Sequence, residues 1–199
     1  MYRISILGAG NVASHISRHL HLRGHEIAEV WSRSEASSRT LAAELGARPI
    51  SGEQRLSEGS DIYLLAVADK AVADQAERHT GMEGTWLHCA GSVPMEALAP
   101  HFHQFGVLYP LQSLSKDKEI AMSQVPFLVE GSDAATTERI AELASELSET
   151  VRECDSAGRL NMHLAAVFAN NFSTHMIHLA SRIVEEEGGD WSLLMPLLR

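Results

Sequence analysis

Short apolar runs alternate with segments whose apolar residues recur three or four positions apart, and this alternation persists from residue 4 to about residue 154. Ile4, Ile6 and Leu7 open the series as a strand. Val12, Ile16 and Leu20 then recur at helical spacing, and Gly24 closes that helix. Residues 26–31 read as a second strand, 35–45 as a helix with Leu41 and Leu45 on its core side and Gly46 as its stop, and 47–50 as a short third strand. The run 61–67 is almost wholly apolar, as expected of a strand buried on both faces. A helix over 70–79, strands over 85–89, 106–109 and 126–129, a helix over 136–147 and a last strand over 150–154 complete the series. Strands alternating with helices predict an α/β fold: a doubly wound, mainly parallel Rossmann sheet.

Near residue 155 the pattern changes. Residues 156–187 hold no proline, and Leu160, Leu164, Val167, Phe168, Phe172, Met176, Leu179, Ile183 and Val184 recur at helical spacing. A helix of that length spans about 45 Å at 1.5 Å per residue. Gly188-Gly189 ends it, and 191–198 opens another apolar segment. Two domains are expected: 1–154, and 155–199 as the start of an all-helical dimerisation or substrate domain that reads as incomplete. One long helix and a short segment cannot bury their own apolar faces, so more chain or a second copy is expected to cover them.

The turn between the first strand and the first helix carries the strongest chemical signal. It reads Gly8-x-Gly10-x-x-Ala13. Gly8 permits the sharp turn, Gly10 lets a pyrophosphate approach the backbone, and Ala13 lets the helix pack closely on the strand. Asn11 and Val12 open that helix, whose free N–H groups and positive end suit phosphate. The same string also serves as a plain strand-to-helix turn; its context, an apolar strand before and a periodic helix after, favours a dinucleotide.

Composition narrows the classes. With 16 basic and 26 acidic residues the net charge is −10, which argues against nucleic-acid and anionic-membrane surfaces. No apolar run is long enough for a bilayer span, and the N-terminus reads as a core strand rather than a signal peptide. Cys89 and Cys154 have no metal or redox spacing, so a reducing cytoplasm is the simplest setting. Eleven histidines are many for this length. His15 and His19 fall on the helix face away from Ile16 and Leu20 and, with His21 and His25, are expected to be solvated. The pairs His101/His103 and His175/His178 lack an evident third ligand, so no metal is expected.

The tip of the second strand selects the cofactor. Glu29, the acid at about the spacing that reads a ribose hydroxyl, lies too early in the strand. The tip is Ser32-Arg33-Ser34, two hydroxyls around an arginine that can fork onto a 2′-phosphate; this favours NADP over NAD, against the alternative that Arg33 is a solvated loop residue. Ligands of such sheets lie beyond the carboxyl ends of the strands, which here present Ala66-Val67-Ala68, then Gly91 and Ser92, then Tyr109. Small residues at the first two would let the nicotinamide half lie against backbone. Ser92 and Tyr109 would bring hydroxyls near the ring; each also reads as an ordinary turn residue or packed aromatic.

Together Gly8-Ala-Gly10-Asn-Val-Ala13, Ser32-Arg33-Ser34, Leu87-His88-Cys89-Ala90-Gly91-Ser92, Val107-Leu108-Tyr109-Pro110-Leu111-Gln112-Ser113 and the stretch from His163 to Asn170-Asn171-Phe172 form an ordered set. The chain resembles a family of Rossmann-like proteins with a helical C-terminal domain of unknown function, related to deazaflavin-dependent NADP oxidoreductases, pyrroline-5-carboxylate reductases and 3-hydroxyisobutyrate dehydrogenases. The resemblance implies an NADP-dependent reductase or dehydrogenase, paired as a homodimer through the long helix. The resemblance supplies no substrate; the leading expectation is hydride transfer between the nicotinamide and a small carbonyl or imine compound in a cleft between the two domains. Relatives with hydroxy-acid activity use a Lys-x-x-x-Asn pair on the long helix. This chain has no lysine there, and His163 with Asn170 or Asn171 are the nearest analogues. His163 then exchanges the proton, Ser92 and Tyr109 orient the substrate, and Asn171 holds a substrate carboxylate or the nicotinamide amide. The alternatives are interhelical polar contacts for His163 and the asparagines, and, for the whole protein, an NADP-binding redox sensor or regulatory dimer without turnover. Hydride exchange with a deazaflavin is implied by the resemblance alone.

Overall fold

A computed structural model describes the chain except for residues 117, 119, 187 and 199. It contains two compact units, Met1–Leu160 and Asn161–Arg199.

The first unit is a doubly wound sheet of eight strands: β1 (Arg3–Leu7), β2 (Glu26–Ser32), β3 (Arg48–Ser51), β4 (Ile62–Leu65), β5 (Thr85–His88), β6 (Gln104–Pro110), β7 (Phe127–Gly131) and β8 (Val151–Glu153). Their order is β3-β2-β1-β4-β5-β6-β7-β8, so the chain reverses direction of travel between β1 and β4. All neighbours are parallel except β6 and β7. The expected mainly parallel Rossmann architecture is therefore what the chain forms. The helices of this unit are α1 (Asn11–Leu22), α2 (Glu35–Leu45), α3 (Val72–Arg78), α4 (Ala134–Leu147) and α5 (Ser156–Ala166), the last of which continues into the second unit.

Alternation along the strands divides the core. Ile4, Ile6, Ile62, Leu64 and Leu87 face one cluster, under α1, α2 and α4. Tyr63, Leu65 and Trp86 face the other, where Trp86 stacks between Tyr63 at 4.3 Å and Phe102 at 4.1 Å. Successive side chains point to opposite faces of a strand, so a sheet covered on both sides needs apolar residues at every position.

Three sequence expectations need correction. The strand expected over 61–67 is shorter, and the helix expected over 70–79 begins as a 3₁₀ turn, Asp69–Ala71, before α3. His15 and His25 are buried rather than solvated, at 6% and 4% exposure. The segment after β6 covers His15, whose Nε2 hydrogen-bonds to the Ser115 carbonyl at 2.9 Å. His25 accepts the Tyr2 N–H at 3.0 Å, stacks on the Tyr2 ring and reaches Glu146. Neither cover is local in sequence, so helical periodicity could not reveal it.

In the second unit α5 runs into a π-helical segment, Val167–Phe172, and then α6 (Ser173–Glu186). The expected single helix is thus continuous in direction of hydrogen bonding but widened in its middle; its expected end at Glu187 lies outside the described residues. A short 3₁₀ helix, Trp191–Leu198, follows. Among the described residues of 161–199 none is buried. No helix among the described residues is long and apolar enough to cross a membrane.

Candidate functional site

The carboxyl ends of β1, β2 and β4 meet at the glycine turn. The Gly8 N–H donates to the Trp31 carbonyl at 2.7 Å and the Ala66 N–H to the Leu7 carbonyl at 2.8 Å, so the turn is pinned between its neighbours. Gly8 has φ +131°, and a Cβ there would lie 2.2 Å from the Ala66 carbonyl oxygen. Only glycine fits both the conformation and the space. A Cβ on Gly10, by contrast, meets no protein atom within 4 Å. That open space lies at the start of α1, and no side chain caps the helix. Its first amides and the positive end of its dipole therefore remain for a ligand.

Below the turn opens a cleft of about 410 Å³. Gly8, Gly10, Ser32, Arg33, Ala66, Val67 and Ala68, all candidates from the sequence, line it together. Arg33 is exposed and makes no hydrogen bond or ion pair with a described residue. Asn11 and Val12 stand at the first turn of α1 but do not line this cleft. Ser34 does not either: its hydroxyl accepts the Ser37 N–H at 3.3 Å and caps α2. Glu29 is buried and engaged by Arg48 and by the Ser57 N–H at 2.7 Å, which removes it from ribose recognition.

Lys70, Asp74 and Gln75 also line the cleft and were not singled out from the sequence. They stand on the 3₁₀ turn and α3 after β4, and the usable signal was position, since the first turns after a parallel strand face the carboxyl edge. Gln75 is 8% exposed, and its Oε1 has no hydrogen-bond partner among the described residues. A buried acceptor without a donor is costly, and a ligand donor in the cleft would satisfy it. A turn open at Gly10, an uncapped helix and an arginine without a described partner offer donors to the phosphates of a dinucleotide, and Gln75 Oε1 offers an acceptor to one of its N–H or O–H groups.

The other half of the carboxyl edge, at β4, β5 and β6, is polar and internally engaged. The exposed Ser92 hydroxyl donates to Asp69. Buried Arg159 pairs with Glu130, donates to the Val93 carbonyl at 2.8 Å and reaches the Ser156 hydroxyl at 3.1 Å. Ser156 in turn donates to Glu130 at 2.8 Å and accepts the Met95 N–H at 2.9 Å. Residues 93–95, immediately after Ser92, are thus anchored by a buried ion pair. Gly91 is buried beside them. Burial pushes His88 down to about 4, and the Arg159 charge acts in the same direction, so the imidazole is neutral at neutral pH. Burial raises the Tyr109 phenol, Asp69 adds to the rise and Arg159 opposes it. Tyr109 is half-buried and belongs to this same electrostatic neighbourhood.

His163 and Asn171 belong to the second unit. His163 is half-buried on α5. Asn171 lies in the π-helical segment, where it accepts a hydrogen bond from Asn170 at 3.2 Å. Such widened turns frequently occur at functional sites.

Comparison with known proteins adds a second line of observation. Residues 3–83 match the family described as NADP oxidoreductase, coenzyme F420-dependent, and residues 125–199 match a domain of unknown function, DUF2520. The chain is 32% identical to a candidate NADP oxidoreductase from Bacteroides fragilis, with a TM-score of 0.91, covering 99% of this chain and 77% of that one. A 1-pyrroline-5-carboxylate reductase from Streptococcus pyogenes shares the fold at 14% identity and a TM-score of 0.74, covering 99% and 75% of the two chains. A reductive aminase from Aspergillus terreus does so at 17% identity and a TM-score of 0.75, covering 100% and 71%. No curated protein matches the chain.

Proposed function

The chain belongs to the family that joins an NADP-oxidoreductase-type Rossmann domain to a C-terminal domain of unknown function, and on that premise we propose that it transfers hydride between NADP and a small carbonyl or imine compound. The observation that carries this reading is the cleft below the glycine turn, with Arg33 unpaired at its rim. When bound, the cofactor supplies the hydride or accepts it. The chain's own residues bind and orient. The α1 amides at Gly10, Asn11 and Val12 receive the diphosphate, Ser32 and Arg33 receive the 2′-phosphate, and Ala66, Val67, Ala68 and Gly91 give the close approach along the strand ends.

Ser92 and Tyr109 orient the substrate, His163 exchanges the proton and Asn171 holds the substrate's polar end. Ser92 is supported as an orienting group by its exposure and its bond to Asp69, and by the anchored backbone that follows it. A small C=O or C=N substrate is in keeping with the fold shared with a 1-pyrroline-5-carboxylate reductase and with a reductive aminase in complex with cyclohexanone and allyl amine.

The second unit is proposed to pair with a second copy. Phe168, Phe172, Met176 and Ile183 are exposed at 59%, 49%, 55% and 67%, an apolar surface that water disfavours. Both cysteines are free, in keeping with a reducing cytoplasm.

The test is to mix the protein with NADPH and a panel of small keto acids, aldehydes and cyclic imines and to follow loss of absorbance at the reduced nicotinamide band. Turnover that depends on His163 and Ser92 supports the assignment. Tight NADPH binding with no turnover on any of them would instead make the protein an NADP-responsive sensor. No binding of NADPH or NADH at millimolar concentration would end both readings.

A further inference from the structure

The segment that follows β6 runs back over α1 and is tied to it at two points. His15, on α1, is almost fully buried, and its Nε2 meets the Ser115 carbonyl at 2.9 Å. At the next residue, the Lys116 ammonium donates to the carbonyl of Ala9 at 2.5 Å. Ala9 is the middle residue of the Gly8-Ala9-Gly10 turn. A cation carried by a segment a hundred residues away is therefore held on the backbone of the phosphate turn itself.

The charge is not consumed there. An ammonium has three donors, and a neutral carbonyl takes one. No carboxylate among the described residues pairs with Lys116; Glu44, which lines the same surface hollow, is engaged by Arg18. In a chain of net charge −10, a cation that meets no carboxylate among the described residues stands here on the phosphate turn. The helix start beside it carries no acidic residue in its first turn. The positive end of the α1 dipole and the lysine repel one another weakly, a cost that an anion bound between them would reverse in sign.

We propose that Lys116 is a binding residue for the cofactor's diphosphate, and that His15 keeps it there by holding the Ser115 backbone. This inference rests on the NADP reading above and goes beyond it by assigning the diphosphate a side-chain cation from the β6–β7 connection. Nearer the sheet, backbone amides alone serve the same group. Arg33 serves the 2′-phosphate, so the two phosphate positions are recognised by different cations on different elements.

Calorimetric titration of the wild type, K116M and K118M with NADPH, ADP-ribose and adenosine 2′-monophosphate separates the claims. Lys118 is exposed on the same segment, so its loss changes the net charge equally. K116M is expected to weaken NADPH and ADP-ribose about tenfold, the scale of one partly solvated charge-assisted contact. Adenosine 2′-monophosphate, which has no diphosphate, is expected to bind K116M as it binds the wild type, and K118M to behave as wild type throughout. K116M binding ADP-ribose at wild-type affinity would overturn the assignment, as would an equal loss for all three ligands or an equal loss in K118M. If the wild type itself binds neither NADPH nor ADP-ribose, the NADP reading fails first and this inference with it.

Discussion

The two halves of the sheet's carboxyl edge are built on opposite terms. At β1 and β2 polar groups are left unspent: the α1 terminus is uncapped, Arg33 has no described partner and the space above Gly10 is open. At β5 and β6 most are spent on one another, with Ser92 on Asp69 and with Arg159 on Glu130, Ser156 and the Val93 carbonyl, while His88 Nε2 and Arg159 Nε have no partner among the described residues. The first half is suited to binding, because a ligand gains only from donors the protein does not already use. The second is suited to positioning, because a hydroxyl is held in one place only when its backbone is pinned. One edge thus separates affinity from orientation.

This contrast can be broken experimentally, and the largest effect is expected in the engaged half. Glu130→Leu strands the buried Arg159 charge and should cost about 3–5 kcal/mol in urea unfolding, most of it recovered when Arg159→Met is added. Recovery by the double variant is the informative result, since it separates charge stranding from lost packing. In the open half, Gly8→Ala should cost about 3 kcal/mol, because its Cβ meets the Ala66 carbonyl at positive φ. Gly10→Ala should stay within about 1 kcal/mol of the wild type in stability yet bind NADPH much more weakly. If both glycine variants merely unfold, the open space at Gly10 is structural and not a cradle.

A smaller effect concerns pH. The folded pKa of His88 is lowered to about 4, below its unfolded value near 6.5, so the unfolded chain takes up the proton first as pH falls. Its contribution is fully present above about 6.5 and is lost progressively toward pH 4, giving roughly 2 kcal/mol between pH 7 and pH 5. Buried His79, also lowered mainly by burial, adds in the same direction. The unfolding midpoint of His88→Asn should depend less on pH than that of the wild type over this range. The smallest effect leaves stability untouched. Arg33→Leu should weaken NADPH about 10- to 100-fold while leaving NADH nearly unchanged, and an equal loss for both would move the 2′-phosphate site elsewhere.

Much of the first unit was legible because its signals are local. A strand–glycine–helix unit is specified within residues 4–22, and the NADP preference rests on three consecutive residues at the β2 tip. Gly8 and Gly10 look alike as letters, yet the fold gives them different duties, one steric against Ala66 and one facing open space. Ser34 looked like a phosphate ligand and is a helix cap, because its hydroxyl finds the Ser37 amide nearer than the cleft. Lys70, Asp74 and Gln75 escaped notice because nothing in their local spacing marks the side of α3 that meets the cleft. Arg159 escaped for a different reason: an arginine in a helix is ordinarily solvated, and here Glu130, on a strand 29 residues earlier, takes it into the interior.

Residues within one or two turns of each other were enough to specify the alternating elements, the bend at Gly8 and the Arg33 tip, since backbone conformation and hydrophobic period are set by neighbours along the chain. The burial of His15 and His25, the ion pair around Arg159 and the reach of Lys116 to Ala9 were decided by tertiary structure alone. Each joins residues from 23 to 121 positions apart, and the energy of such a contact depends on a distance through space that no interval along the chain encodes.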